Sequence, residues 1–371
     1  YLRNAFNWLY GIINATNTII GRAEDENIDW KGGKGTETEN KNYIIAEAKA
    51  IRAWAYRHLT YLWGDVPLSL VESSGNSIKT DWERTPVRQV REQIIEDLLF
   101  AEQYIPVEPI AGRMSKGAVQ HLLAEMYLVL NDPGKALQWA DKVINTPAYK
   151  LVTERYGIKA DQPGVPFMDM FYQGNKNREE GNTEALWVWQ FGFQLIGGGT
   201  NPRARALHLQ RYMDIKIGGV QPLQITFERG GRGKAYTAPT KWFMEIYEKK
   251  DDRFSNHAVR QWFILKTADQ NTPAKADKLP AGMSYGDTIK LNWTVPLDAA
   301  TWERNDWPYS RKHEGSIPDD VASDFNYDDY IAMRLADTYL LKAEAQFRLN
   351  DPDGAAETIN IIRRRSKASE I

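Results

Sequence analysis

The sequence predicts a mostly α protein of stacked helical hairpins, interrupted by an irregular, loop-rich and partly β insertion. Three observations carry this reading. Ile51, Trp54, Ala55, Leu59 and Leu62 recur at the i, i+3, i+4 spacing of a helix with one buried face. Leu130-Asn131-Asp132-Pro133 and Leu349-Asn350-Asp351-Pro352 each follow an Ala-Glu pair at the same distance, and each precedes a further helical pattern. Between Pro147 and Asp329 the helical period mostly fails, while Trp and Gly accumulate.

In chain order, Leu2, Phe6, Leu9, Tyr10, Ile13 and Ile20 mark the inner face of a first helix. Its long uncharged run from Asn4 to Gly21 is studded with Asn and Thr, so it reads as a buried helix and not as a membrane span. Glu24 to Asn42, charged and Gly-rich, reads as a surface loop. In the second helix Ala46, Ala50 and Ala53 form a narrow stripe that admits close neighbours, which puts helices on two of its sides. Gly64 supplies a left-handed stop and Pro67 forbids continuation. Thr85-Pro86 opens a third helix lined by Val87, Val90, Ile94, Leu98 and Ala101, and Ser115 caps a fourth that runs to Leu130. The two Asn-Asp-Pro turns, each placing its Pro at the first turn of a following helix, give the pattern of tetratricopeptide-like hairpins, which bury their inner faces only by stacking.

The helical scaffold is therefore expected over 1–146 and 328–366 and the insertion over 147–327, within a single domain spanning 1–371. Inside the insertion Trp187, Trp189, Phe191 and Phe193 alternate with Val188, Gln190 and Gly192 as in a strand. Thr240 caps a short helix within 237–249, and Arg260 to Leu265 reads as a second strand. Long irregular segments on a regular scaffold commonly carry function.

The bulk numbers narrow the classes. With 47 Lys and Arg against 49 Asp and Glu the net charge is −2, which gives no electrostatic footprint for nucleic acid. Cysteine is absent, which excludes disulfides, thiolate catalysis and cysteine metal sites. The 13 Trp are an excess suited to stacking on flat ligand faces as well as to core packing.

Catalytic motifs fail on context. Gly282-Met283-Ser284-Tyr285-Gly286 matches the spacing of a nucleophile elbow, but Pro280 precedes it and no helical period follows. Glu228 to Lys234 lacks the first Gly and the Ser or Thr of a phosphate loop, and reads as a flexible basic loop. The five His are isolated, without zinc spacing. The acidic pairs Asp251-Asp252, Asp319-Asp320 and Asp328-Asp329 are sequence neighbours. A glycosidase needs carboxylates facing each other about 5 to 9 Å apart, so capping is the expected role. No cofactor is implied. Trp293, Trp302, Trp307 and Tyr309 sit without period among Arg304, Asn305, Asp306 and Arg311. Flat C–H faces of sugars stack on such rings while hydroxyls meet Arg and Asn, so Trp293, Trp302, Arg304, Asn305, Trp307 and Tyr309 are candidate glycan-binding residues; anchoring of a long loop is the alternative.

Several stretches resemble the SusD/RagB family. Gly64-Asp65-Val66-Pro67 is similar to that family's turn after the second helix. Tyr10, Ile13 and Asn14 resemble its Tyr-x-x-Ile helix, and Arg113-x-Ser115-Lys116-x-Ala118 a later helix start. Tyr149-Lys150-Leu151, Pro239-Thr240 and Asp252-Arg253-Phe254 fit its middle. Arg334-Leu335-Ala336-Asp337-Thr338-Tyr339-Leu340 with Ala343-Glu344-Ala345, then Asn360 and Arg363, resemble its closing helices. The resemblance implies a surface receptor that captures a glycan and passes it to a SusC-like TonB-dependent outer-membrane transporter, closing over it as a lid. It implies no enzyme and no metal, and a membrane association only through a lipid anchor upstream of Tyr1, since both ends of the chain read as cut. Capture of peptides within the same family and a helical glycoside hydrolase are the rival readings.

Overall fold

The computed structural model describes residues 2–25, 27–199, 202–291 and 307–371. Its helices are α1 (Leu2–Arg22), α2 (Glu37–Trp63), α3 (Val87–Tyr104), α4 (Lys116–Val129), α5 (Pro133–Ile144), α6 (Pro166–Asp169), α7 (Ala204–His208), α8 (Lys241–Glu245), α9 (Leu335–Arg348) and α10 (Pro352–Arg365). The chain divides into two compact units, Tyr1–Leu151 with Ala332–Ile359, and Val152–Ile331 with Asn360–Ile371. The expected mostly α architecture of helical hairpins with a loop-rich region is the one observed.

In the first unit α2 lies between α1 and α3, as its alanine stripe requires. Tyr10 and Tyr56 meet edge to face at 6.4 Å, as do Phe6 and Trp63 at 5.2 Å, so α1 and α2 run antiparallel. On the α3 side the Arg52 guanidinium, itself buried, grips Asp97 with Nε to Oδ2 at 2.8 Å and Nη2 to Oδ1 at 2.7 Å. Lys49 Nζ adds a bond to Asp97 Oδ1 at 3.0 Å, and Arg52 Nη1 reaches back to Asn17 Oδ1 on α1 at 2.8 Å. One buried ionic node thus ties three helices together.

The second helix begins earlier than expected. Thr36 and Glu39 form a reciprocal capping box, with Glu39 Oε2 accepting from the Thr36 amide at 2.8 Å, so the charged stretch from Glu37 is already helical. At the other end Gly64 takes φ +71°, a value that penalises a Cβ, and α2 stops there. Leu62, placed on the inner face by period, is exposed in this last turn.

Both Asn-Asp-Pro turns are built alike. Asn131 and Asn350 adopt φ +61° and +64°. Asp132 Oδ1 accepts from the Lys135 amide at 3.1 Å and Asp351 Oδ1 from the Gly354 amide at 2.9 Å, capping α5 and α10. α9 packs on both helices of the α4–α5 hairpin, through Lys342 Nζ to Asp141 Oδ1 at 2.7 Å and the buried His121 Nδ1 with Thr338 Oγ1 at 2.8 Å.

The second unit holds short elements: β1 (Ala185–Trp189), β2 (Val259–Arg260), β3 (Trp262–Ile264), β4 (Thr288–Lys290) and β5 (Tyr309–Ser310). β2 pairs antiparallel with β5, and β3 with β4. They enclose a core of Leu209, Tyr212, Phe263, Leu265, Ile289, Leu291 and Tyr309. The sequence-predicted strand through Phe193 ends at Trp189, because the Phe191 amide donates to Asp329 Oδ1 at 2.8 Å instead of to a ladder. Beyond it the chain folds back on itself, and a Cβ on Gly198 would lie 2.2 Å from Gly192 O, which is why glycine is required there. The Glu228–Lys234 stretch is not a loose basic loop. Arg229 is buried and bidentate to Asp277, at 2.8 and 2.5 Å, and the glycines beside it let the backbone turn around this pair.

Candidate functional site

In the second unit four rings from distant parts of the chain form a row. Trp189, at the end of β1, lies 5.5 Å from Tyr330. Tyr330 is near-parallel to His313 at 6.1 Å and 11°, and His313 stacks on His208 at 4.2 Å and 17°. Tyr330 is 39% exposed, so the row reaches the surface through it.

The polar groups beside the row fix its position. The buried Lys176 ammonium pairs with Asp328 Oδ2 and donates to Asp329 O at 2.9 Å. Asp329 accepts from the Phe191 amide at Oδ1 and from Asn177 Nδ2 at Oδ2, 2.8 and 2.6 Å. These bonds hold the segment before Tyr330 against the chain that leaves β1. Burial, followed by the nearby His208, Lys176 and Lys312, pushes the His313 imidazole down to about 3. Burial also lowers His208. Both shifts favour the neutral imidazole, which removes like-charge repulsion between rings stacked at 4.2 Å. Burial raises the Asp328 carboxyl to about 6, partly offset by Lys176.

Two of the three acidic pairs are engaged by neighbouring groups. Both Asp329 oxygens are occupied and Asp328 is in an ion pair, so this pair does not present the two opposed carboxylates of a glycosidase. Asp251 accepts from the Arg253 amide at 2.9 Å, and Asp252 pairs with Lys367 at 3.0 Å. Around Ser284 the chain makes a turn, Gly282 and Gly286 having φ +78° and +96°, and enters strand β4 instead of a helix, so the nucleophile elbow is not formed. Among the described residues no group of three or more His, Asp or Glu is arranged to hold a metal ion.

Of the sequence-predicted glycan-binding residues, Trp293, Trp302, Arg304 and Asn305 lie outside the described residues. Trp307 and Tyr309 are interior: Trp307 is 2% exposed and donates from Nε1 to Pro239 O at 2.8 Å, while Tyr309 is fully buried on β5. Both side chains therefore face the interior at the start of the described segment 307–371. Pro239 lies two residues beyond Thr237, whose hydroxyl is 3.3 Å from His208 Nδ1, so the Trp307 hydrogen bond adjoins the ring row. The row itself was not legible from the sequence: Trp189 belongs to a strand-period stripe, but Tyr330, His313 and His208 are single residues brought to it from remote segments.

The comparisons with known proteins follow from here. A family model described as "SusD family" matches residues 135–371, and a second, described as "Starch-binding associating with outer membrane", matches residues 1–128. The chain belongs to the SusD family. SusD-like protein P2 of Formosa agariphila is 30% identical over 357 residues, which cover 96% of this chain and 60% of that protein. The chain spans about three fifths of the length of the curated SusD-like relatives it matches. Among solved structures, surface glycan-binding protein A from Bacteroides uniformis aligns with a TM-score of 0.66 and 16% identity, over 99% of this chain and 67% of that one. A laminarin-binding SusD-like protein aligns with a TM-score of 0.65 and 21% identity, over 100% and 71%. At these identities the structural likenesses establish the SusD fold.

Within this SusD-family chain the Gly64-Asp65-Val66-Pro67 motif has a structural explanation. Gly64 ends α2, Asp65 accepts from the first amide of α3, Val66 is buried and bridges Thr85, and Pro67 O accepts from the Tyr10 hydroxyl at 2.6 Å. The motif is a joint among three helices. No helix among the described residues is long and apolar enough to cross a membrane.

Proposed function

We propose that this chain is the greater part of a cell-surface receptor that captures an oligosaccharide or polysaccharide and delivers it to a SusC-like TonB-dependent outer-membrane transporter. It acts by binding, without bond cleavage, and is held at the outer membrane by a lipid anchor upstream of Tyr1. The observation that carries the reading is membership of the SusD family, supported by fold neighbours that include a surface glycan-binding protein and a laminarin-binding SusD-like protein. The description of the family model over residues 1–128 supports both starch-type ligands and an outer-membrane setting.

In this reading Trp293, Trp302, Arg304 and Asn305 contact the sugar, the rings by stacking and the polar groups by hydrogen bonds to hydroxyls. Trp307 and Tyr309 are buried and serve packing, and Tyr330 supplies the exposed end of the ring row. The test is a titration of the intrinsic Trp fluorescence with a panel of polysaccharides and peptides, with released reducing ends assayed in the same samples. Saturable quenching by a glycan without released ends supports the receptor. Released ends identify a hydrolase, and a response to peptides alone moves the chain to peptide capture. Trp302→Ala is expected to weaken glycan binding at least tenfold with the far-UV CD spectrum unchanged.

A further inference from the structure

We propose that a cavity in the first unit is a binding subsite for a single ring of a neutral hexopyranose chain. The cavity has a volume of about 390 Å³ and is lined by Phe6, Tyr10, Asn14, Ser69, Ser73 and Trp82 among others. Ligand pockets run from roughly 300 to 1,000 Å³, so this one, near the lower end, suits a single sugar ring and not a long chain.

The lining selects the chemistry. Phe6 lies 4.7 Å from Tyr10 and edge-on to Trp63 at 5.2 Å, so its ring is fixed before any ligand arrives. The Tyr10 hydroxyl is already donating to Pro67 O, which leaves that residue to contribute its ring to the cavity. Trp82 is 40% exposed, with Lys79 Nζ 5.0 Å from its ring centroid. Three aromatic walls suit the C–H face of a pyranose.

The polar group is equally placed. Asn14 Oδ1 accepts from the Ser73 amide at 2.7 Å, which fixes the side-chain amide, and among the described residues Nδ2 has no acceptor. That donor meets a sugar hydroxyl and would be left unsatisfied by an acyl chain. None of the lining residues carries a formal charge, which suits a neutral sugar, and the alginate titration tests whether the Lys79 ammonium over Trp82 draws an anionic one instead.

The subsite rests on the glycan-capture reading, and the experiment separates the two. Calorimetric titrations use laminarihexaose, maltohexaose, cellohexaose and mannohexaose, an alginate oligosaccharide and a Phe-containing hexapeptide. The proteins are wild type, Trp82→Ala and Asn14→Asp, the last keeping the acceptor while deleting the donor. The expected result is that wild type binds at least one neutral hexaose and both variants bind it at least tenfold more weakly, with unchanged far-UV CD. Binding of a neutral hexaose that neither variant weakens overturns the subsite and leaves glycan capture standing. Binding of the alginate oligosaccharide alone, or of the peptide with loss in Trp82→Ala, overturns the assignment to a neutral sugar. No glycan binding at all overturns both.

Discussion

Asp65 Oδ1 accepts a 2.8 Å hydrogen bond from the Val87 amide, so the residue that follows the end of α2 caps the start of α3, 22 positions later. The cap is supplied from outside the helix because Pro86, at the N-cap position, has no side-chain acceptor. Asp65→Ala is expected to lower stability by about 1 kcal/mol, the ordinary value of a lost N-cap, and Asp65→Asn by less because the amide oxygen still accepts. Urea midpoints of the two variants check this. Equal midpoints for Asp65→Ala and wild type would show that the bond is replaced by water.

This joint also shows what the sequence makes legible. Gly64 and Pro67 announce a helix end through their own backbone limits, and the two Asn-Asp-Pro turns announce hairpins through left-handed Asn, capping Asp and Pro. Such information is local, and so is the helical period that defined the fold class. The Arg52–Asp97 pair spans 45 positions and the Phe191–Asp329 bond 138, and nothing near either partner marks it. The early end of β1 and the ring row of Trp189, Tyr330, His313 and His208 were unreadable for the same reason. The burial of Trp307 and Tyr309 was equally unreadable, because the groups they pack against are brought by remote segments.

The Arg52–Asp97 node yields a second prediction. Asp97→Ala leaves two cations, Arg52 and Lys49, facing an empty place, and breaking one side of a buried pair costs about 3–5 kcal/mol. The double variant Arg52→Met/Asp97→Leu removes both charges and is expected to be more stable than Asp97→Ala. Chemical denaturation of the three proteins decides it. A double variant no more stable than the single one would mean that the bond from Arg52 to Asn17, and not the ion pair, dominates.

A third concerns the start of α4. A Cβ on Gly117 would lie 2.4 Å from the Tyr149 ring, whose hydroxyl accepts from the Gly117 amide at 3.0 Å and donates to Val107 O at 2.7 Å. The ring is buried and held at its far end, so it cannot yield freely. Gly117→Ala is expected to destabilise by about 1–3 kcal/mol despite the better helix propensity of alanine. Tyr149→Leu added to it should recover part of the loss. Thermal melts of the single and double variants read the difference.

The stacked imidazoles give a pH dependence whose sign follows from the direction of the shift. His313 titrates at about 3 in the folded chain against 6.5 in a free imidazole, so the unfolded chain binds the proton more readily. Its contribution to stability is complete above pH 6.5 and is lost as the pH falls from there towards 3. Asp328 acts in the opposite sense, because its folded value of about 6 lies above the ordinary 3.8 and protonation in that window favours the folded state. The histidine shift is the larger, so the net expectation is a fall in melting temperature between pH 6.5 and 4. His313→Gln removes the titrating ring and should flatten or invert that fall, since Asp328 then acts without opposition. Melting temperatures of both proteins across pH 4–7.5 test this, and parallel curves would assign the acid sensitivity to groups other than His313.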